Sequence, residues 1–126
     1  MSTELNVDVY KPATDVTGRA TAPVNRKRLV RIAGNMDAGL VTLAPTTAGG
    51  RAFGVARNDA ATGELVSVAR GAGRIVKITA AAAIAAGAEV DADAAGQVTA
   101  HTTGTAIGYA VTAAAAGADA FVSLYA

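Results

Sequence analysis

Residues 78–98 read ITAAAAIAAGAEVDADAAGQV. The stretch is mostly alanine, and four structures compete for it: a membrane segment, a long helix, a metal loop, or turn-rich β scaffold. Its apolar part, ITAAAAIAAGA, spans about half of the roughly 20 residues that a membrane helix needs, and Lys77 stands directly before it. The membrane reading is rejected. Alanine is the best helix former, but Gly87 favours a stop, and the text that follows alternates like a strand. Thr79 suits an N-cap, so 79–87 is expected to form one or two helical turns held by packing, since isolated helices this short are marginal in water. In DADAAG, Asp91, Asp93 and Gly96 resemble the start of a calcium loop. Ala95 and Thr102 stand where such a loop needs oxygen ligands. A hairpin turn with solvated carboxylates is expected instead.

The same layout recurs. TAAAAG (112–117) and DAATG (59–63) also begin with a capping residue, end in glycine and lead into a strand. GVARNDAATGELVSV (54–68) aligns with GYAVTAAAAGADAFVSL (108–124), pairing Gly54 with Gly108, Ala56 with Ala110 and Gly63 with Gly117. In this alignment the second copy has two extra residues before its closing Val-Ser. An internal duplication, two similar corners of one barrel, and coincidence in an alanine-rich chain all remain open.

On either side of this stretch and through it, nine short segments alternate or run apolar between glycine-rich separators: 28–33, 40–44, 52–57, 64–70, 74–79, 88–92, 97–101, 106–111 and 119–125. Strands at roughly ten-residue spacing with turn signals indicate a small barrel or sandwich. The fold class is all-β, with one or two short helical turns. Residues 1–27 hold Pro12, Pro23, Asp15 and Gly18, and lack a sustained period apart from LNVDVY (5–10). They are expected to be an extended N-terminal arm carrying one short strand. Residues 28–126 are then the β-rich domain.

Composition supports a modest core. The chain has 126 residues and is 52% hydrophobic, but 33 of those residues are alanine and 14 are valine. A chain of this size buries roughly two thirds of its unfolded surface, so contacts with other subunits are expected to help. There is no cysteine, which excludes disulfides, thiolate metal sites and thiol nucleophiles. The first residues are acidic and lack an apolar run, unlike a signal peptide. Net charge is +1, yet no Lys or Arg follows Lys77 while Glu89, Asp91, Asp93 and Asp119 do. Two differently charged faces are expected.

No constellation supports catalysis. His101 stands alone without a nucleophile elbow and reads as a strand-end surface histidine. RGAGRIV (70–76) lacks the third glycine of a dinucleotide loop and the Gly-Lys-Ser/Thr of a phosphate loop. NRKRLVR (25–31) is basic but has no aromatic neighbours for base stacking, so nucleic acid is not an expected partner. It reads as a polar strand start or as a contact for an acidic protein surface.

FGVARNDAATGELVSVA, AAAAIAAGAEVDADAAGQV and IGYAVTAAAAGADAFVSL, in this order and spacing, resemble the capsid cement family of tailed bacteriophages, also called head decoration proteins. The resemblance covers about 75 residues, with RLVRIAGNMDAGLVTLA a looser match and the arm the weakest. It implies a β-rich, β-tulip-like fold and a non-enzymatic virion protein without cofactors. It also implies binding to the major capsid protein on the outer surface of the head, typically as homotrimers. The residues add candidates for capsid contact: Leu5, Val7, Val9 and Tyr10 in the arm, and Arg26, Lys27 and Arg28 after it. A lone alternating strand suits addition to a sheet edge, and weak attachments in a trimer combine through effective concentration. The competing reading is a virion-displayed module for carbohydrate or host surface; with no Trp, three Tyr and two Phe, the chain is poor in aromatic platforms for sugar.

Overall fold

Glycine-punctuated alternation becomes strand after strand. The computed structural model describes residues 15–126, and every helix or strand among them is a strand. The strands are β1 (Val16–Ala20), β2 (Leu29–Ile32), β3 (Val41–Pro45), β4 (Gly54–Ala56), β5 (Leu65–Ala69), β6 (Ile75–Thr79), β7 (Glu89–Ala92), β8 (Val98–Ala100), β9 (Gly108–Ala110) and β10 (Asp119–Leu124). β2 to β10 match the nine expected segments to within a residue or two, and the all-β class holds.

The first five strands close into a barrel in the order β1-β3-β2-β4-β5. β1 closes it by pairing antiparallel with β5 and parallel with β3. The last five form a sheet in the order β6-β10-β9-β7-β8. That is the same cyclic order, with β6 in the place of β1 and β10 in the place of β5. Where β1 and β3 share a ladder from Gly18↔Val41 to Ala20↔Leu43, the chain just past β6 meets β8 at one parallel bridge, Ala80↔Val98. The second half is therefore a looser copy of the first barrel, and the duplication reaches the whole described chain.

The corners prove the equivalence. Ala20, Ala56, Ala80 and Ala110 are all buried at a strand end. Four residues on, Val24 bridges Ala60, and Ile84 bridges Ala114. Seven residues on, Lys27, Gly63, Gly87 and Gly117 all have positive φ, between 61° and 89°. The hydrogen bonds repeat too. Gly63 N–H donates to Ala20 O, Lys27 to Ala56 O, Gly87 to Ala110 O and Gly117 to Ala80 O, at 2.7–2.8 Å. In register, Val66 corresponds to Ala120 and Val68 to Val122, so the two extra residues of the sequence alignment are not needed.

These corners replace the expected helical turns; no helix occurs among the described residues. The reason is where the backbone groups go. Ile84 and Ala114 exchange N–H···O bonds at 2.8 and 2.9 Å across the corner instead of bonding within their own segments. Tertiary pairing overrides alanine's local preference, which is weak at this length. The left-handed glycine stops themselves are present.

The arm boundary at residue 27 is also corrected. Residues 15–27 belong to the first barrel: Val16, Ala20 and Val24 are buried in its core with Val30, Leu43, Val66 and Val68. Gly18 signals not a turn but a close approach. A Cβ there would stand 2.5 Å from Leu43 Cδ1 and 2.9 Å from Val41 O, so only glycine lets β3 lie so near.

The two barrels are sewn together. Leu29 and Val55 of the first sit in the apolar core of the second, beside Ile78, Val90 and Val122. Leu29 N–H donates to Gly96 O at 2.6 Å, Gly49 N–H to Ala92 O at 2.8 Å, and Thr79 N–H to Lys27 O at 3.0 Å.

Candidate functional site

Leu5, Val7, Val9 and Tyr10 lie outside the described residues. The other sequence candidates form part of the seam. Lys27 Nζ pairs with Asp119 Oδ2 at 2.9 Å. Arg28 Nη1 donates to Ala95 O at 3.1 Å. Arg26 is exposed, and its backbone N–H donates to Asp59 Oδ1 at 2.8 Å. Two of the three cations are thus engaged between the barrels.

DADAAG is a hairpin turn, as expected, but only one of its carboxylates is spent on the turn. Asp93 Oδ1 accepts from Ala95 N–H at 2.9 Å and Gln97 N–H at 2.8 Å. Asp91 is not solvated: it is 3% exposed. It takes His101 Nδ1 at 2.6 Å and the N–H groups of Thr102 and Gly104, each at 3.2 Å. His101, expected as an isolated surface residue, is therefore partnered, and the pair pins the loop before β9. No nucleophile adjoins it among these bonds.

Two surface features stand out. The first is the outer face of the second sheet. Strand pairing sets Ile75, Ser123, Tyr109 and Glu89 in one cross-strand row. Lys77 and Phe121 are paired in the next row, where Val111 N–H donates to Phe121 O at 2.8 Å. Tyr125 stands 6.1 Å from Tyr109, ring to ring, and its hydroxyl donates to Glu89 Oε2 at 2.8 Å. That bond is the main reason its phenol is held above the ordinary tyrosine pKa of 10.0; desolvation and the Glu89 charge act in the same direction. Ile75, Tyr109, Val111, Phe121 and Tyr125 are all at least 40% exposed, so large apolar groups meet solvent side by side.

The duplication supplies a control. In the first barrel the matching row is Thr17, Ser67 and Arg57, joined by the same Thr17↔Ser67 pairing and the same 2.8 Å bond from Arg57 N–H to Ser67 O. The fold thus accepts a polar row where the second sheet carries Lys77, Phe121 and Val111. Strand geometry alone therefore does not require Phe121 and Val111 to be apolar, and both are exposed.

The second feature is a groove of about 700 Å³ between the barrels, lined by Arg31, Arg51 and Arg70 over Ile32, Phe53 and Ile107. Sequence reasoning missed it because the three arginines are far apart in the chain and converge only through strand order. Tyr125 lines its end, so groove and apolar face are contiguous.

Comparison with known proteins agrees with this architecture. The chain belongs to the phage cement protein family, whose model matches residues 7–125. It is accordingly a phage structural protein. Among solved structures, the N base of head fiber gp8.5 of bacteriophage phi29 superposes with a TM-score of 0.76 at 21% identity, covering 88% of this chain and 92% of that one. At that identity the likeness speaks for the fold. No curated protein matches the chain.

Proposed function

We propose that the protein is a non-enzymatic cement that binds the major capsid protein on the outer surface of the phage head as a homotrimer. The observation that carries this reading is the exposed apolar pair Phe121 and Val111 standing where the first barrel has Ser67 and Arg57. Family membership supplies the context. The face of the second sheet packs against neighbouring copies. Residues 1–14, with Leu5, Val7, Val9 and Tyr10, and the exposed Arg26 supply further capsid contacts. Co-sedimentation with empty capsids of the same phage tests the partner, and light scattering of the free protein with a capsid reconstruction tests the trimer. Failure to sediment with capsids would overturn the cement reading, and two-fold dimers in both states would overturn the trimer.

A further inference from the structure

We propose that the groove between the barrels is a docking site for an extended acidic segment of the coat protein, one with apolar residues alternating between its carboxylates. This rests on the capsid-binding reading above and names the chemistry of one contact.

Charge carries the inference. No Asp or Glu side chain lines the groove, although three guanidiniums do. Elsewhere, Arg26 apart, the arginines are answered: Arg57 and Arg74 share Asp15, Arg19 donates to Gly63 O at 2.7 Å and Arg28 to Ala95 O at 3.1 Å. In the groove, Arg51 has no hydrogen bond or ion pair among the described residues. Arg70 lies 4.1 Å over the Phe53 ring, and Arg31 uses Nε on Pro45 O at 3.1 Å, which leaves its terminal nitrogens for a ligand. Guanidiniums offer paired donors that match carboxylates in plane.

Shape and backbone agree. Ile32, Phe53 and Ile107 give the groove apolar surface for alternate side chains of a strand. The backbone N–H groups of Arg51 and Ala52 have no acceptor among the described residues, so an extended chain has donors to meet. Nucleic acid fits less well. Phe53 is already capped by Arg70, and Tyr125 is held by Tyr109 and Glu89, so neither ring is a free platform for bases.

The test uses the full chain and a labelled peptide, acetyl-Asp-Leu-Glu-Val-Asp-Leu, read by fluorescence anisotropy. Its Lys-for-acid counterpart and a single-stranded oligonucleotide of equal charge are the comparators. The acidic peptide is expected to bind, and to weaken about tenfold or more with Arg51→Glu and as salt rises. Arg51→Glu should melt as the parent does and lose retention on capsids; Arg70→Gln is the second variant. Peptide binding indifferent to both substitutions overturns the proposal. So does a parent that sediments with capsids while Arg51→Glu sediments equally well. Tighter oligonucleotide binding would make the groove a nucleic-acid site instead. Markedly tighter peptide binding by a Glu4→Gln/Asp8→Asn chain would make this protein's own first residues the occupant. A parent that binds the peptide but not capsids overturns the coat protein as the source, while the preference for acidic segments stands.

Discussion

Lys27 and Asp119 are 92 positions apart in the chain, and their charged atoms are 2.9 Å apart in the fold. Lys27 is the non-glycine member of the four equivalent corners, and it holds a φ of 61°. Left-handed backbone costs a residue with a Cβ about 1 kcal/mol or more relative to glycine. The ion pair offsets part of this, but both side chains are over 30% exposed, which limits its value to about 0.2–1 kcal/mol. Lys27→Ala keeps the strain and loses the pair, so it should destabilise slightly. Lys27→Gly loses both and should be about 1 kcal/mol more stable than Lys27→Ala. Chemical denaturation of the two variants checks the order; equal stabilities would show that backbone strain at Lys27 is negligible.

The glycines divide into two kinds with different expected costs. A Cβ at Gly87 or Gly117 meets nothing within 4 Å, so Gly87→Val or Gly117→Val is opposed by the φ of 82° alone, at about 1–2 kcal/mol. Gly18→Ala drives a methyl into Leu43 and the Val41 carbonyl. Overpacking of that sort costs about 1–3 kcal/mol and disturbs the β1–β3 ladder that closes the barrel. Melting of the three variants should rank Gly18→Ala lowest.

These positions show what was legible in the sequence. Nine strands announced themselves because alternation and glycine spacing are local signals. β1 was hidden because Gly18 reads as a turn until β3 is laid beside it. The alanine corners read as helix because their real partners, such as Ile84 for Ala114, lie about thirty residues away. The internal partners of Lys27 and Arg28, Asp119 and Ala95, are invisible from NRKRLVR because they lie in the other half of the chain. The groove arginines were illegible for the converse reason: nothing in the text brings positions 31, 51 and 70 together.

Asp91 gathers three donors while nearly buried. Asp91→Ala leaves the N–H groups of Thr102 and Gly104 without this acceptor, which costs about 1–3 kcal/mol. Gly104 also touches Gly49, where an added Cβ would stand 3.2 Å from the Gly104 Cα, so the loss should spread to the seam between the barrels. Amide exchange should quicken in both the 101–105 and 47–50 loops. Faster exchange confined to 101–105 would show that the seam does not depend on Asp91.

Tyr125 provides a pH-dependent readout. Its pKa is raised chiefly by the hydrogen bond to the Glu89 carboxylate. A raised folded-state pKa means that the neutral phenol is the stabilised form. Its contribution is present below the ordinary tyrosine pKa and is lost as pH rises through the folded value. In Glu89→Gln the carboxylate charge is removed, and ultraviolet titration should show the Tyr125 midpoint falling toward the ordinary range. Subtraction of a Tyr125→Phe titration assigns the signal. An unchanged midpoint would place the cause elsewhere than Glu89.

Shortening the amino end separates arm from barrel. Removing residues 1–14 spares β1, whereas removing 1–20 deletes it and leaves β3 and β5 without the strand that joins them. Val16 and Ala20 leave the core with it. The shorter deletion should melt close to the full chain and lose capsid retention in keeping with the proposed contacts. The longer one should unfold the first barrel. Undiminished capsid binding by the shorter deletion would mean that the barrels themselves hold the interface.

The internal copy also dictates the most selective test of the apolar face. Phe121→Ser with Val111→Arg writes the first barrel's Ser67 and Arg57 into the equivalent places of the second sheet. Both sites are about 40% exposed, and the first barrel shows that this backbone accepts the replacement residues. Removing exposed apolar surface relinquishes little core, so the melting temperature should change little. Association should respond strongly, because aromatic residues at the centre of an interface commonly carry 2 kcal/mol or more. At that size, the concentration needed for self-association rises about thirtyfold or more. Sedimentation velocity of the variant and parent across a concentration series measures the shift. If the parent self-associates and the variant does so at the same concentrations, Phe121 and Val111 lie outside the subunit contact, and a variant that melts far below the parent would show that the face serves folding after all.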